Sequence, residues 1–386
     1  MTATDAIGTV TAYDDRRTRV REAMDKLGCD AFVLATPENI HYLSGLDNQG
    51  HFAFTALMLP RDGEPRVVAR EMERPTVVNQ AVGCAFQGYA DGDDPAAVAA
   101  AAVRTAGSVT RVGTELTSMC LPPLVWDSLR RRLPGVEWID CSPRMSWIRA
   151  VKSPAEIACV RAAAGMSDAA VQAGIARAGE GVRQSEVAAE CYHAMLRAGS
   201  EYPGFVPLIR SGEQLRQEHV TWTERPLRHG EALLIELSAA KQRYHAPLTR
   251  LVHIGAMTPG VEEIAKVALG AQEAVVEALR PGVLAEQVYQ VWQAFVDNAL
   301  GHGRYRRHHC GYLVGAGFPP SWVGGSVVHG LRPNTDLVVQ AGMTFHLLSW
   351  ILADGLPEYA ISDTALVTDH GCDLLTTTPR EPRIAQ

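Results

Sequence analysis

A chain of 386 residues with 47 % hydrophobic and 20 % charged side chains has the make-up of a globular protein and the length for two domains. A formal net charge of −7, with no block of Lys or Arg, excludes a general nucleic-acid binder. No run reaches the roughly 18 apolar residues of a membrane span. Met1 to Asp5 lacks the basic and apolar regions of a signal peptide, so the expectation is a cytoplasmic protein with no membrane partner. The eight cysteines are scattered without metal-finger spacing and read as reduced core thiols.

From Asp14 to Leu27, apolar residues recur at helical spacing among many charges, which predicts a surface helix. Strands are predicted at Ala31 to Ala35, Phe52 to Leu59, Arg66 to Arg70 and Thr110 to Gly113, with helices at Pro95 to Ala106 and Leu121 to Leu133. This alternation predicts a small α/β domain over residues 1–150. Ser153-Pro154-Ala155-Glu156 has a capping Ser, Pro at the first helical position and Glu three residues after the Ser. A helix follows to about Ala178, then helices from Gly181 to Gly199, Val261 to Leu279 and Ala285 to Leu300. Strand-rich segments at 205–255 and 310–370 lie between and after these pairs, so residues 151–386 read twice as two helices and then strands. The fold class expected is α+β, with a small α/β domain in front of a pseudo-symmetric one.

Chemistry is expected around Leu233 to Ser238. Glu236 sits there inside an apolar run, where an ionised carboxylate is costly unless paired and its pKa is prone to shift. A structural ion pair with Arg250 or Arg243 is the competing account.

The element order resembles the creatinase/prolidase/methionine aminopeptidase family, whose fold is named pita-bread. Pro37 to Gly45 resembles its "NIxYLTG" segment, and Ile148 to Ile157 the opening of its C-terminal domain. Leu279 to Val283, Gly342-Met343-Thr344-Phe345 and Val367 to Cys372 resemble later landmarks. Familiar metallopeptidases of this family hold two metals with two Asp, one His and two Glu. Here the corresponding positions carry Glu236, Pro247, Tyr312, His346 and Ser362, so no metal and no cofactor are expected.

Within the family, His219 to Arg225, Arg243 to Arg250, Gly311 to Trp322 and Met343 to His346 resemble the metal-free branch that includes creatinase and ectoine hydrolase. The resemblance implies hydrolysis of a C–N bond in a small cyclic amidine or amide by a homodimer. Glu236 is the expected nucleophile or base, His219 the proton shuttle, and His346 a group that holds or protonates the leaving nitrogen. Trp222, Tyr244, His245, Arg250, Tyr312, Trp322 and Asp363 are the expected substrate-binding residues. Tyr244 and Tyr312 are expected to donate hydrogen bonds, and the two Trp rings either face a delocalised cation or fill core. His245 alternates with Tyr244 along a strand, so it is expected outside the pocket or at its rim. His308 and His309, in a loop with Arg304, Arg306 and Arg307, are expected to be solvated.

The chain departs from the ectoine hydrolase pattern at Ser321, Gly324 and Ala360, where acids are lost, and across Gly45 to Phe52. That points to a different substrate within the class. A divergent Xaa-Pro metallopeptidase and a non-catalytic binding protein are the alternatives.

Overall fold

The computed structural model describes residues 5–325 and 327–385. It divides into two compact units, one of Met1–Arg149 with Gly324–Val327 and one of Ala150–Val323 with Val328–Gln386. The return of the chain to the first unit at Gly324–Val327 has no signal in the sequence.

The first unit is built on a six-stranded sheet in the order β4-β3-β2-β1-β5-β6, from β1 (Ala31–Leu34), β2 (Ala56–Pro60), β3 (Arg66–Arg70), β4 (Ala85–Tyr89), β5 (Arg111–Thr114) and β6 (Glu137–Asp140). Six helices accompany it: α1 (Val10–Leu27), α2 (Pro37–Ser44), α3 (Arg74–Gln80), α4 (Pro95–Arg104), α5 (Pro123–Arg132) and α6 (Ser142–Ala150). Period-two alternation sends Phe32 and Leu34 into one core with Val20 and Met24 of α1, and Ala31 and Val33 into another with Ala99 and Val103 of α4. The sheet is therefore apolar on both faces, which is why its strands read as short continuous runs.

The second unit repeats one motif. Helices α7 (Pro154–Arg177) and α8 (Gln184–Arg197) precede β7 (Leu208–Ser211), β8 (Ala232–Lys241) and β9 (Tyr244–Ile254). Helices α9 (Val261–Ala278) and α10 (Ala285–Leu300) precede β10 (Gly311–Leu313), β11 (Thr344–Ile351) and β12 (Tyr359–Val367), with short β13 (Cys372–Leu374) and β14 (Ile384–Ala385) closing the chain. The strand order β10-β11-β12-β9-β8-β7 sets the two halves edge to edge, joined where Ser362 pairs with Thr249. The α+β class and the pseudo-symmetric second domain are as expected.

The start of α7 has both halves of a capping box: the Ser153 hydroxyl accepts from the Glu156 amide, and the Glu156 carboxylate accepts from the Ser153 amide. Gly174 on α7 allows close contact, because a Cβ there would lie 2.4 Å from Cys191 Sγ of α8. Ile235, Leu237, Leu248 and Val252 pack in the same apolar cluster as α7 and α8 residues, and each buried side chain of this kind contributes about 1.5–3 kcal/mol. On the other half Trp292 of α10 donates to Ser349 of β11 at 3.0 Å. The helices thus cover one face of the sheet and leave the other to a mixed set of polar and apolar side chains. Among the described residues no helix is long and apolar enough to cross a membrane.

Candidate active site

Alternation along the strands decides which side chains meet. Glu236, Thr249, Ser362 and His346 share the face away from the helices, because Glu236 pairs with Thr249, Thr249 with Ser362, and Ser362 with Leu348, two residues along the strand from His346. A cavity of about 510 Å³ opens on that face. Glu236, Leu348 and Trp350 line it together with Leu208, Phe205, His219, Tyr312 and Trp322, and Glu218, Arg307, His308, His309 and Arg332 add charge and imidazole.

Glu236 is only 4 % exposed. Burial pushes its carboxyl up to about 7, with Arg210 pulling down, Glu218 pushing further up and Arg307 pulling down. Arg210 Nη2 of β7 stands 3.9 Å from Glu236 Oε2, and neither Nη2 nor Nε of Arg210 has a hydrogen-bond partner among the described residues. The guanidinium rests instead against the Trp350 ring, 5.4 Å from its centroid, and Arg307 lies over the same ring at 4.5 Å. Glu236 therefore has a nearby counter-charge but no saturating bond, which leaves its lone pairs open to the cavity. The alternative partners expected for it are engaged elsewhere: Arg243 donates to the carbonyls of Tyr202 and Gly317 at 2.6 and 2.8 Å, and Arg250 is held by the far face of the sheet.

Behind the cavity wall runs a line of hydrogen bonds. Trp322 Nε1 donates to Tyr312 Oη at 3.1 Å, and Tyr312 Oη lies 2.8 Å from His346 Nδ1. His346 Nε2 lies 2.5 Å from Ser362 Oγ, which is 2.7 Å from Thr249 Oγ1. Burial, with His309 and Arg307 nearby, holds the His346 imidazole well below its usual range, so it is neutral. Burial also raises the Tyr312 phenol, and the Glu236 charge adds to that rise. His346 is expected among the catalytic groups; it does not line the cavity and is joined to it by the hydrogen bond with Tyr312 Oη.

His219 is exposed at the cavity wall, stacked on Phe205 with centroids 5.9 Å apart and rings 7° from parallel. Its φ of 57° is left-handed, a strained conformation for a non-glycine residue and one that recurs at functional sites. Trp322 is buried and meets Phe205 edge-on at 4.7 Å, so both walls and cavity share it.

Five expected substrate-binding residues lie elsewhere. Arg250 and Asp363 sit on the helix-covered face, where Arg250 Nη2 meets Asp363 Oδ1 at 2.7 Å and its other N–H groups bond carbonyls of Thr249, Ser362, Thr378 and Pro379. Tyr244 points the same way and donates to Glu156 of α7. Trp222 packs against the α7–α8 cluster, edge-on to Tyr192 at 6.0 Å. His245, expected outside the pocket or at its rim, is fully buried, and its Nε2 accepts from the Gly204 amide at 2.8 Å. Burial, with Arg243 adding, pushes that imidazole down to about 3.

Two groups escaped the sequence reading. Arg210 is a cation inside an apolar strand, the same signal that singled out Glu236, and it passed unnoticed. His308 and His309 are expected to be solvated; His308 is exposed and His309 only partly so, and both line the cavity with Arg307, His309 meeting Tyr312 edge-on at 5.4 Å and pushed down to about 3 by burial.

The model of Metallopeptidase family M24 matches residues 158–369, and that of the Creatinase/Prolidase N-terminal domain matches residues 16–151. The chain belongs to family M24. Over 396 residues it is 28 % identical to an ectoine hydrolase of Halomonas elongata, covering 96 % of each chain. It is 28 % identical over 385 residues to an uncharacterized hydrolase/peptidase of Sinorhizobium fredii, again covering 96 % of each. A prolidase structure from Thermococcus sibiricus superposes with a TM-score of 0.85 at 22 % identity, over 96 % of this chain and 99 % of that one, a likeness of fold.

An M24 chain raises the matter of a metal pair, and the donors here do not suit one. Pro247 has no side-chain donor, Ser362 offers a neutral hydroxyl, and both nitrogens of His346 are already hydrogen-bonded. Among the described residues no three His, Cys, Asp or Glu side chains converge to hold an ion.

Proposed function

We propose that this M24 chain is a metal-independent hydrolase of a C–N bond in a small cyclic amidine, which is a delocalised cation, or a cyclic amide, with Glu236 as the base that activates water. The observation that carries the reading is the Glu236 carboxyl, buried at the cavity wall, poised near 7 and facing a cation that does not saturate it. A base raised toward neutrality is still available in its ionised form and holds a proton well once it has taken one. Water loses a proton to Glu236 as its oxygen bonds the central carbon; the C–N bond then breaks, Glu236 gives up the proton it took, and the nitrogen takes the electron pair and a proton from His219. His219 at the cavity wall exchanges that proton with solvent. Trp322, Phe205 and Trp350 offer ring faces to the cation, and Arg307 and Arg332 suit an acidic substituent on it.

The likeness to the ectoine hydrolase over nearly the whole of both chains supports the same reading. A homodimer belongs to the proposal on family resemblance, and sedimentation velocity tests it. The deciding experiment combines metal analysis of purified protein with mass-spectrometric turnover of ectoine, other cyclic amidines and Xaa-Pro dipeptides. Metal-free turnover of an amidine supports the proposal; two metals per chain with dipeptide cleavage ends it. Turnover in H₂¹⁸O then separates a water-activating base from direct attack by Glu236, since only direct attack leaves label in the carboxylate after a single turnover.

A further inference from the structure

The hydrogen-bonded line from Trp322 to Thr249 has a direction that the cavity must feel. An indole N–H is a donor only, so Trp322 takes one lone pair of Tyr312 Oη. A neutral His346 carries one ring hydrogen, which leaves two self-consistent polarities. In the first, Tyr312 gives its hydrogen to Nδ1, His346 gives Nε2–H to Ser362, and Ser362 gives its own to Thr249, whose hydrogen is left over. In the second, every hydrogen points back and the Tyr312 O–H is aimed into the cavity.

The far end of the line decides between them. Thr249 stands directly opposite Glu236 in the β8–β9 ladder, on the same face, a placement that sets Cβ atoms about 5 Å apart. No hydrogen bond joins Thr249 Oγ1 to Glu236, but the field of an ionised Glu236 acts across the ladder on the spare Thr249 hydrogen and favours the first polarity. The other charged groups around Glu236 are Arg210 from β7, with Arg307 and Glu218 at the cavity wall.

We propose that Glu236 orients the Thr249–Ser362–His346–Tyr312 line so that Tyr312 faces the cavity as a hydrogen-bond acceptor, with one lone pair reserved for an N–H of the substrate. His346 is then a positioning residue. This reverses the donor role expected of Tyr312, and it narrows the substrate class to cations that carry N–H at the bond-bearing nitrogen. The substrate half of the inference rests on the function proposed above; the polarity of the line does not.

The test starts with the unaltered protein. In ¹⁵N-histidine-labelled protein above pH 8, His346, assigned by its loss in His346→Asn, is expected as the Nε2–H tautomer. An Nδ1–H tautomer or an imidazolium overturns the proposal, whatever the cavity binds. Calorimetric titration then compares 2-methyl-1,4,5,6-tetrahydropyrimidine with its N-methylated counterpart lacking one N–H. The N–H form is expected to bind about tenfold tighter, and Tyr312→Phe to level the two. His346→Asn, whose amide oxygen accepts the Tyr312 hydrogen, is expected to keep the preference that His346→Leu loses. Equal binding of the two probes with the expected tautomer overturns the role of Tyr312 in recognition. Binding of neither overturns that role too, and also counts against the amidine reading.

Discussion

Two buried acids of the same sheet each lie beside an arginine, and they are built for opposite ends. Asp363 meets Arg250 at 2.7 Å and accepts from Thr376 Oγ1 at 2.7 Å on the same oxygen, while Arg250 spends its other donors on backbone carbonyls. Thr377 and Thr378, which complete that surround, are tied by backbone and hydroxyl to Asp168 of α7. The knot fastens the C-terminal segment, β9, β12 and α7 together. Glu236, two strands away on the other face, has its arginine at 3.9 Å and no such surround. Asp363 Oδ2 has no hydrogen-bond partner among the described residues, so the difference lies in the direct ion pair: a buried charge in contact with its counter-charge reports on architecture, and one held at a distance from its partner retains chemistry to do.

The largest effect that sharpens this contrast is on turnover. Glu236→Gln is expected to lower kcat/KM by about 10³-fold, within the range for loss of a general base, while circular dichroism stays that of the parent. Activity within tenfold of the parent would sink the assignment. Asp363→Ala is expected to do the reverse: it leaves Arg250 buried with an unpaired charge, at a cost of about 3 kcal/mol in chemical denaturation. The surviving folded protein should keep its KM. A raised KM with unchanged stability would mean that Asp363 belongs to the site after all.

The two acids also differ in how stability answers pH. For Glu236 the folded carboxyl sits near 7 while an unfolded one titrates near its ordinary 4.5, so between those values the native state holds more protons than the unfolded state. Stability therefore falls as pH rises through that window, and Glu236 costs the fold about 3 kcal/mol above it. Glu236→Gln removes the cost. Urea melts should find the variant more stable than the parent at pH 8 and matched to it near pH 4; parallel curves would remove the perturbed carboxyl. The same titration predicts that kcat/KM climbs with pH and levels off above about 7, because the base must be ionised.

Much of this was legible in the chain. The Ser153–Glu156 cap, the helix pairs and the lone acid in Leu233 to Ser238 rest on local rules, and local rules hold when burial agrees with them. What the chain did not disclose is which face each polar residue takes once two halves are set edge to edge. Arg250 and Thr249 are neighbours, yet one fastens a helix face and the other closes a line to Tyr312. His308 and His309, within a run of arginines, look solvated by composition; only tertiary folding turns that loop onto the cavity. Arg210 is different, because a cation within Leu208 to Ser211 was as conspicuous as Glu236 and obeys the same argument.

The smallest effect separates two tryptophans that the sequence could not tell apart. Trp222 is half-buried against α8 and Tyr192, away from the cavity, whereas Trp322 gives its indole hydrogen to Tyr312. An edge-on aromatic pair contributes about 0.5–1.5 kcal/mol beyond its area, so Trp222→Ala should cost about 1 kcal/mol or slightly more and leave kcat and KM untouched. Trp322→Phe keeps most of the ring volume but frees a lone pair on Tyr312, so its mark should fall on KM, by a few-fold, more than on stability. Steady-state kinetics and denaturation of the two variants side by side check this. A KM effect in Trp222→Ala would show that the segment carrying His219 and Trp222 reaches the substrate as one piece, and would widen the site to the edge of α8.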